Sequence, residues 1–299
     1  SDSYNLCGAL EFSEKISKVG TQPIIGTQIN LSILNIFGKI SLYATSENGY
    51  KNLTKLSSKS YLKNDGTTEP ACNFEDLAKN NEDLILLTGN YNNFFGKLFY
   101  KNKLIEIENF LNSLNSHFKN RIYIEIQRHN ENQEKNFENY LLNISKKLKL
   151  PLIATQEIFY LSQDMYEAHD ALVCIGKKNF IDDKNRFRYN NQHYFKSHED
   201  LITLYSDIPE ALENNYNFHL RFNFKPKKSK PILPSIEGTE NTSPENELLR
   251  LAKIGLENRL NNFILKKESI QKEEQVIKKY EDRLFHEINI INSMDYASY

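Results

Sequence analysis

Three apolar runs in this chain end in groups that can do chemistry. Leu152, Ile153, Ala154 and Thr155 pass into Gln156, Glu157, Ile158, Phe159 and Tyr160. Ile122, Ile124 and Ile126 alternate with Tyr123 and Glu125, and Arg128 and His129 follow. Leu84 to Leu87 closes on Thr88, Gly89 and Asn90. In α/β proteins the carboxyl ends of parallel strands collect the reactive groups, because the loops there vary while the sheet holds them in place. A carboxylate and an imidazole at such ends, here Glu157 and His129, are the side-chain types that bind cations or move protons. Whatever occupies positions 156, 157 and 159 therefore reports on function.

The elements that must position these residues follow from periodicity. Pro151 to Tyr160 reads as a buried strand. A helix starts at Ser162 or Asp164, with Ala168, Leu172, Val173 and Ile175 as its apolar stripe. Near the start, Asp2 to Asn5 is a polar turn, and Leu6 to Ile16 outlines a helix ending near Gly20. Ile24 to Ile29 and Ile40 to Ala44 read as strands, and a helix carrying Tyr50, Leu53, Leu56 and Tyr61 comes next. Residues 63–74 are turn-rich and read as a loop. Ile105 to Phe118, and the helix with Phe137, Tyr140, Leu141, Ile144 and Leu148, repeat every 3.6 residues. Strand then helix recurs at least five times, which predicts a parallel α/β barrel or sheet with right-handed crossovers.

Composition shifts near residue 225. The run KPKKSKPILPSIEG reads as a connector between residues 1–228 and 229–299, and its charge as that of a solvated linker. Two long helices are predicted beyond it, about 245–263 and 273–291, with Ser243 as cap and Pro244 in the first turn. Val276, Tyr280, Leu284, Ile288 and Ile291 form a stripe that needs a covering surface.

The chain's 299 residues carry 38 basic and 39 acidic side chains, so no global field points to nucleic acid. Three cysteines without a Cys-x-x-Cys pair exclude a disulfide framework or a zinc ribbon and fit a reducing cytosol. No apolar run nears the ~18 residues a membrane span needs. No phosphate-binding loop, dinucleotide fingerprint or Gly-x-Ser-x-Gly elbow occurs.

The stretch from Pro151 to Tyr189, together with SDSYNLCGALEF, QPIIGTQINL, NGYKNLTKLSSKSYL, YFKSHEDLITLYSDIPEALENN and INSMDYASY, resembles the PHP domain and early palm of the bacterial polymerase III alpha subunit, a C-family replicative DNA polymerase. Order and spacing are kept along the whole chain. The resemblance implies a distorted (β/α)7 PHP-type barrel over residues 1–228, with its first strand preceding Ser1. Residues 229–299 would be a linker and the α-helical start of the palm. The chain would then be a partial piece.

PHP barrels hold metals on His, Asp, Glu and sometimes Cys at strand ends. Carried onto this sequence, Asp2 and His129 match that pattern outright and Glu157 is a conservative change. Ser3, Gln28, Lys39, Asn90 and Phe159 depart from it. A hydrolytic centre needs nearly all of its ligands, so Asp2, His129 and Glu157 are expected to be remnants, with zinc and manganese binding lost. His129 is read as a strand-end histidine bonded into the barrel mouth, and His169 as structural. Asp170, Asp182 and Asp183 are read as cap and turn acids, and Arg186 and Arg188 as packing their loop onto the barrel rather than meeting nucleic acid. The resemblance further implies a parent enzyme that extends primers on template DNA with magnesium. Its polymerase aspartates would lie beyond Tyr299, and other holoenzyme subunits, including a proofreading exonuclease docked on this domain, would be its partners. A metal-dependent phosphoesterase and a free-standing interaction module are the rival readings.

Overall fold

The computed structural model describes residues 1–62, 66, 69–229, 242–265 and 273–299. They form two compact units, Ser1–Lys228 and Ser229–Tyr299. In the first unit a seven-stranded sheet has the order β1 (Asp2–Ser3), β2 (Gly26–Ile33), β3 (Ile36–Ala44), β5 (Leu84–Leu87), β6 (Ile122–Gln127) and β7 (Leu152–Thr155), and β4 (Ala71–Cys72) also pairs with β2. The architecture is mixed α/β, a curled half-barrel sheet flanked by helices.

Alternation along the strands explains how both faces are covered. Leu84, Leu86, Ile122, Ile124, Ile126, Leu152 and Ala154 enter one large core, and Ile85, Leu87, Tyr123 and Ile153 a smaller one with Phe222. Successive side chains point to opposite faces of a strand, so strands buried on both faces need continuous apolar runs. The large core is closed by α2 (Glu47–Leu62), α3 (Phe74–Lys79), α4 (Phe94–Tyr100), α5 (Leu104–Phe118), α6 (Glu134–Leu148), α8 (His198–Leu204) and α9 (Pro209–Phe218), to different degrees, and the same unit carries α1 (Ala9–Lys18) and α7 (Tyr166–Lys177). Phe94, Phe95, Phe118 and Tyr205 are among its fully buried side chains.

Several expectations require correction. The sheet is not all parallel: β3 runs against both β2 and β5. The reason is a two-residue hairpin at Leu34 and Asn35, which have φ of 53° and 56° and link the paired residues Ile33 and Ile36. Such a turn matches strand twist when both central residues have positive φ, but Leu-Asn lacks the glycine that usually signals it. β7 stops at Thr155 rather than Tyr160, which makes only an isolated bridge to Tyr194. The described part of 63–74 holds β4 and the first turn of α3, capped by Asn73 in a capping box with Asp76. The stripe assigned to α7 faces outward, with Leu172 and Ile175 63% and 75% exposed, while Asp170 and Cys174 are the buried side chains.

In the second unit α10 (Pro244–Arg259) starts at Ser243, whose hydroxyl accepts the Asn246 amide, and runs into a π-turn at Leu260–Ile264. It pairs with α11 (Glu273–Ser293). Leu256 and Leu260 face Ile277, Leu284 and Phe285 across a groove of about 480 Å³. Ile288 is buried as its stripe requires, whereas Tyr280 is exposed. Part of the predicted connector, residues 230–241, lies outside the described residues.

Candidate functional site

The ends of β5, β6 and β7 carry a layer of polar side chains on a closed hydrogen-bond circuit. Glu125 on β6 is 4% exposed and accepts from the Gly89 amide (2.8 Å), Gln127 Nε2 (2.9 Å) and Thr155 Oγ1 (2.5 Å). Gly89 has φ of +85°, which only glycine adopts without strain and which turns its amide into the site. Burial pushes the Glu125 carboxyl above its ordinary range, against the pull of those three donors. Asn90 Nδ2 donates to Gln127 Oε1 (2.8 Å).

One step outward lie His129, Glu134, Glu157 and His193. Glu134, in the first turn of α6, accepts the His129 amide with both oxygens (2.9 Å each) and the Glu131 amide (3.1 Å). The Glu157 amide donates to His129 Nε2 (3.1 Å), which makes that nitrogen the unprotonated one. His129 Nδ1 then carries the proton and points at Glu134 Oε1, 3.4 Å away. Burial raises the Glu134 carboxyl, but the bonds from the His129 side chain and from the two amides outweigh it and hold the group low. Glu157 is pushed up by burial, partly offset by His129 and Lys39.

His193 was not singled out from sequence. It stacks on His129 (centroids 4.3 Å apart, 8° between planes), and its Nδ1 donates to the Glu157 carbonyl (3.0 Å). Its Nε2 is buried and has no hydrogen-bond partner among the described residues. Burial, with His129 beside it, lowers this imidazole to about 4, so it is neutral at pH 7. Phe159 continues the stack, lying on His193 (4.9 Å) and His169 (5.1 Å) and touching Tyr189 (4.6 Å). His169 is thus a ring in an aromatic wall. His129, Glu134, Glu157, Tyr189 and His193 line a cavity of about 100 Å³ together with Asn90, Tyr91 and Arg188.

The loop after α7 is clamped to the helix. Arg186 makes two bonds to Asp170 (2.6 and 2.5 Å), and Arg188 reaches Glu167 (3.0 Å) and Asp170 (3.2 Å). Both arginines thus tie the loop to α7, where the sequence reading had the loop packed on the barrel. Asp170 is corrected: it is a 2% exposed ion-pair anchor rather than a cap, its carboxyl held low by Arg186. Asp183 is a turn acid, accepting the Phe180 amide.

On the other side, at β1 to β3, the substituted positions bond to one another. Lys39 Nζ donates to Ser3 Oγ (3.2 Å), Ser3 Oγ to Gln28 Oε1 (3.0 Å), and the Lys39 ammonium sits 4.9 Å from the Tyr4 ring. Asp2 is exposed on the edge strand β1, where its carbonyl accepts Thr27 Oγ1 (2.9 Å). The structure links Glu157 to His129 but does not gather Asp2 with them. Among the described residues no three His, Cys, Asp or Glu side chains are placed to hold a metal ion. Of the residues missed from sequence, Glu125, Glu134 and His193, Glu125 had an available signal, an acid inside the apolar run Ile122–Ile126, whereas Glu134 and His193 follow polar stretches.

Comparison with known proteins agrees with this geometry. A PHP domain family model matches residues 1–129. The whole chain aligns with DNA polymerase III subunit alpha of Rickettsia bellii (strain RML369-C) at 36% identity, of Caulobacter vibrioides (strain NA1000 / CB15N) at 34%, and of Vibrio cholerae serotype O1 at 29%. In each case the alignment takes in 100% of this chain and 26% of the relative, so the chain spans about a quarter of their length. Residues 1–129 are thus similar to PHP domains, and the chain along its whole length is similar to DNA polymerase III alpha subunits.

Proposed function

We propose that this chain is the amino-terminal region of a replicative DNA-directed DNA polymerase, in which a PHP domain that has lost its metals acts as a scaffold. The similarity along all 299 residues supports the polymerase parentage. The observation that carries the loss of metals is the Glu157 amide bonded to His129 Nε2: the nitrogen a cation would need already accepts a proton donor. Lys39 adds a fixed positive charge beside Glu157, and Gln28, Asn90 and Phe159 supply no anionic donor. In this reading Asp2, His129 and Glu157 are remnants, residues 229–299 begin the palm, and the catalytic aspartates with their magnesium belong to the rest of the polymerase. The scaffold would carry other holoenzyme subunits, the proofreading exonuclease among them, in the cytoplasm. A metal-dependent phosphoesterase is disfavoured by the same engaged nitrogen.

Calorimetry on chelator-treated protein tests the metal reading: zinc and manganese are expected to give no stoichiometric binding, and sub-micromolar uptake of two or more ions would overturn it. Magnesium-dependent primer extension tests the parentage. The complete gene product is expected to extend a primer and the 299-residue chain alone is not. Extension by this chain that vanishes on mutating its own residues would defeat the assignment.

A further inference from the structure

Away from the strand ends, a cleft of about 830 Å³ opens between α2 and the segment 223–227 of the first unit. Its floor is aromatic: the half-buried rings of Tyr50 and Phe224 lie 5.3 Å apart at 37°. Its rim is basic. Lys51 and Lys55 stand one turn apart on the exposed face of α2, and Lys225 and Lys227 face them from the segment. Lys51 is paired with Glu47 (3.0 Å), an exposed contact of small worth. Lys55, Lys225 and Lys227 have no ion-pair partner among the described residues. Among the described residues Glu47 is the one carboxylate in the lining, against four lysines, so the lining is positive inside a chain of net charge −1.

We infer that this cleft binds single-stranded DNA, with a base against the Tyr50–Phe224 platform and flanking phosphates on the lysines. Three observations select this ligand class. The volume suits a nucleotide. Unpaired ammoniums recruit phosphates by releasing counterions. An aromatic floor has a use for flat bases, and stacking there is worth about 1–3 kcal/mol per base. A duplex hides its base faces and would engage only the rim. An acidic peptide would likewise ignore the rings. The choice of DNA over RNA rests on the family reading above, and primer extension by the complete gene product tests that reading separately.

The test is fluorescence anisotropy of the 299-residue chain with an oligothymidylate of about twelve nucleotides, beside an abasic oligomer of equal length and a poly-glutamate competitor. Lys225→Ala combined with Lys227→Ala alters exposed side chains and is expected to weaken oligothymidylate binding about tenfold at low salt. It should also flatten the log–log salt slope by about 1.4, the value for two phosphate contacts on a single strand. Phe224→Leu keeps an apolar floor; it should weaken oligothymidylate binding about tenfold and leave the abasic oligomer unchanged. Melting curves check that each variant stays folded. The inference is overturned if no binding occurs at low salt, or if folded variants bind as the parent does. It is equally overturned if the abasic oligomer and poly-glutamate bind as tightly as oligothymidylate, which would make the cleft a general acceptor of polyanions.

Discussion

The two sides of the sheet's polar end are bonded in different ways. On the β5–β7 side the Glu125, His129 and Glu134 side chains accept backbone amides, from Gly89, from Glu157, and from His129 and Glu131, while Glu157 contributes its own amide and carbonyl, to His129 and His193. On the β1–β3 side the side chains of Ser3, Gln28 and Lys39 hydrogen-bond, among the described residues, only to one another. A side chain that also satisfies a buried amide cannot be replaced without orphaning that amide. One bonded to neighbouring side chains can. The difference teaches that a charged side chain which doubles as a backbone acceptor is fixed in place by the fold.

This contrast can be broken most forcefully at Glu134. Glu134→Ala strands the His129 and Glu131 amides and should cost about 2–4 kcal/mol in urea unfolding, since bonds to charged groups are worth about 1.5–3 kcal/mol each. A loss under about 1 kcal/mol would show that the acid is not a backbone acceptor of consequence.

Next in size is a pH effect at His193. Its folded value of about 4 lies below the ordinary 6.5, so the unfolded chain binds the proton more tightly. Stability from this group is therefore complete above about 6.5 and is lost as pH falls toward 4, by about 2 kcal/mol at pH 5. Melting at pH 7 and pH 5 should reveal the drop, and His193→Gln should remove it. An unchanged pH profile in that variant would assign the drop elsewhere.

Phe159 sharpens the comparison, because it departs from the metal pattern yet lies on the β5–β7 side. Phe159→Ala should cost about 1–2 kcal/mol through lost ring contacts with His169, Tyr189 and His193. A neutral result would show that these ring contacts contribute little to stability.

The smallest effect is expected at Lys39. Lys39→Met removes the bond to Ser3 and the contact over Tyr4 and should cost less than about 1 kcal/mol. A larger loss in thermal melting would mean that the ammonium stabilises Glu157 and the two sides act together.

Much of the architecture was legible in the sequence because apolar periodicity is a local property. The runs at Leu84–Leu87 and Ile122–Ile126, the stripe of Phe137, Leu141 and Ile144, and the Ser243-Pro244 start each state their element within a few residues. The same local reading placed His129 and Glu157 at strand ends. Tertiary structure alone decided the rest. Leu34 and Asn35 turn the chain into an antiparallel pair without a glycine signal, because pairing of β2 with β3 holds them at positive φ. Asp170 is buried because two arginines from 16 and 18 residues further on neutralise it. His193 joins His129 across 64 positions of sequence, and its proton affinity falls only because the fold removes it from water. Periodicity reports which face a residue prefers. Which distant group meets it there, and hence its charge and its role, is set by the packing of the whole unit.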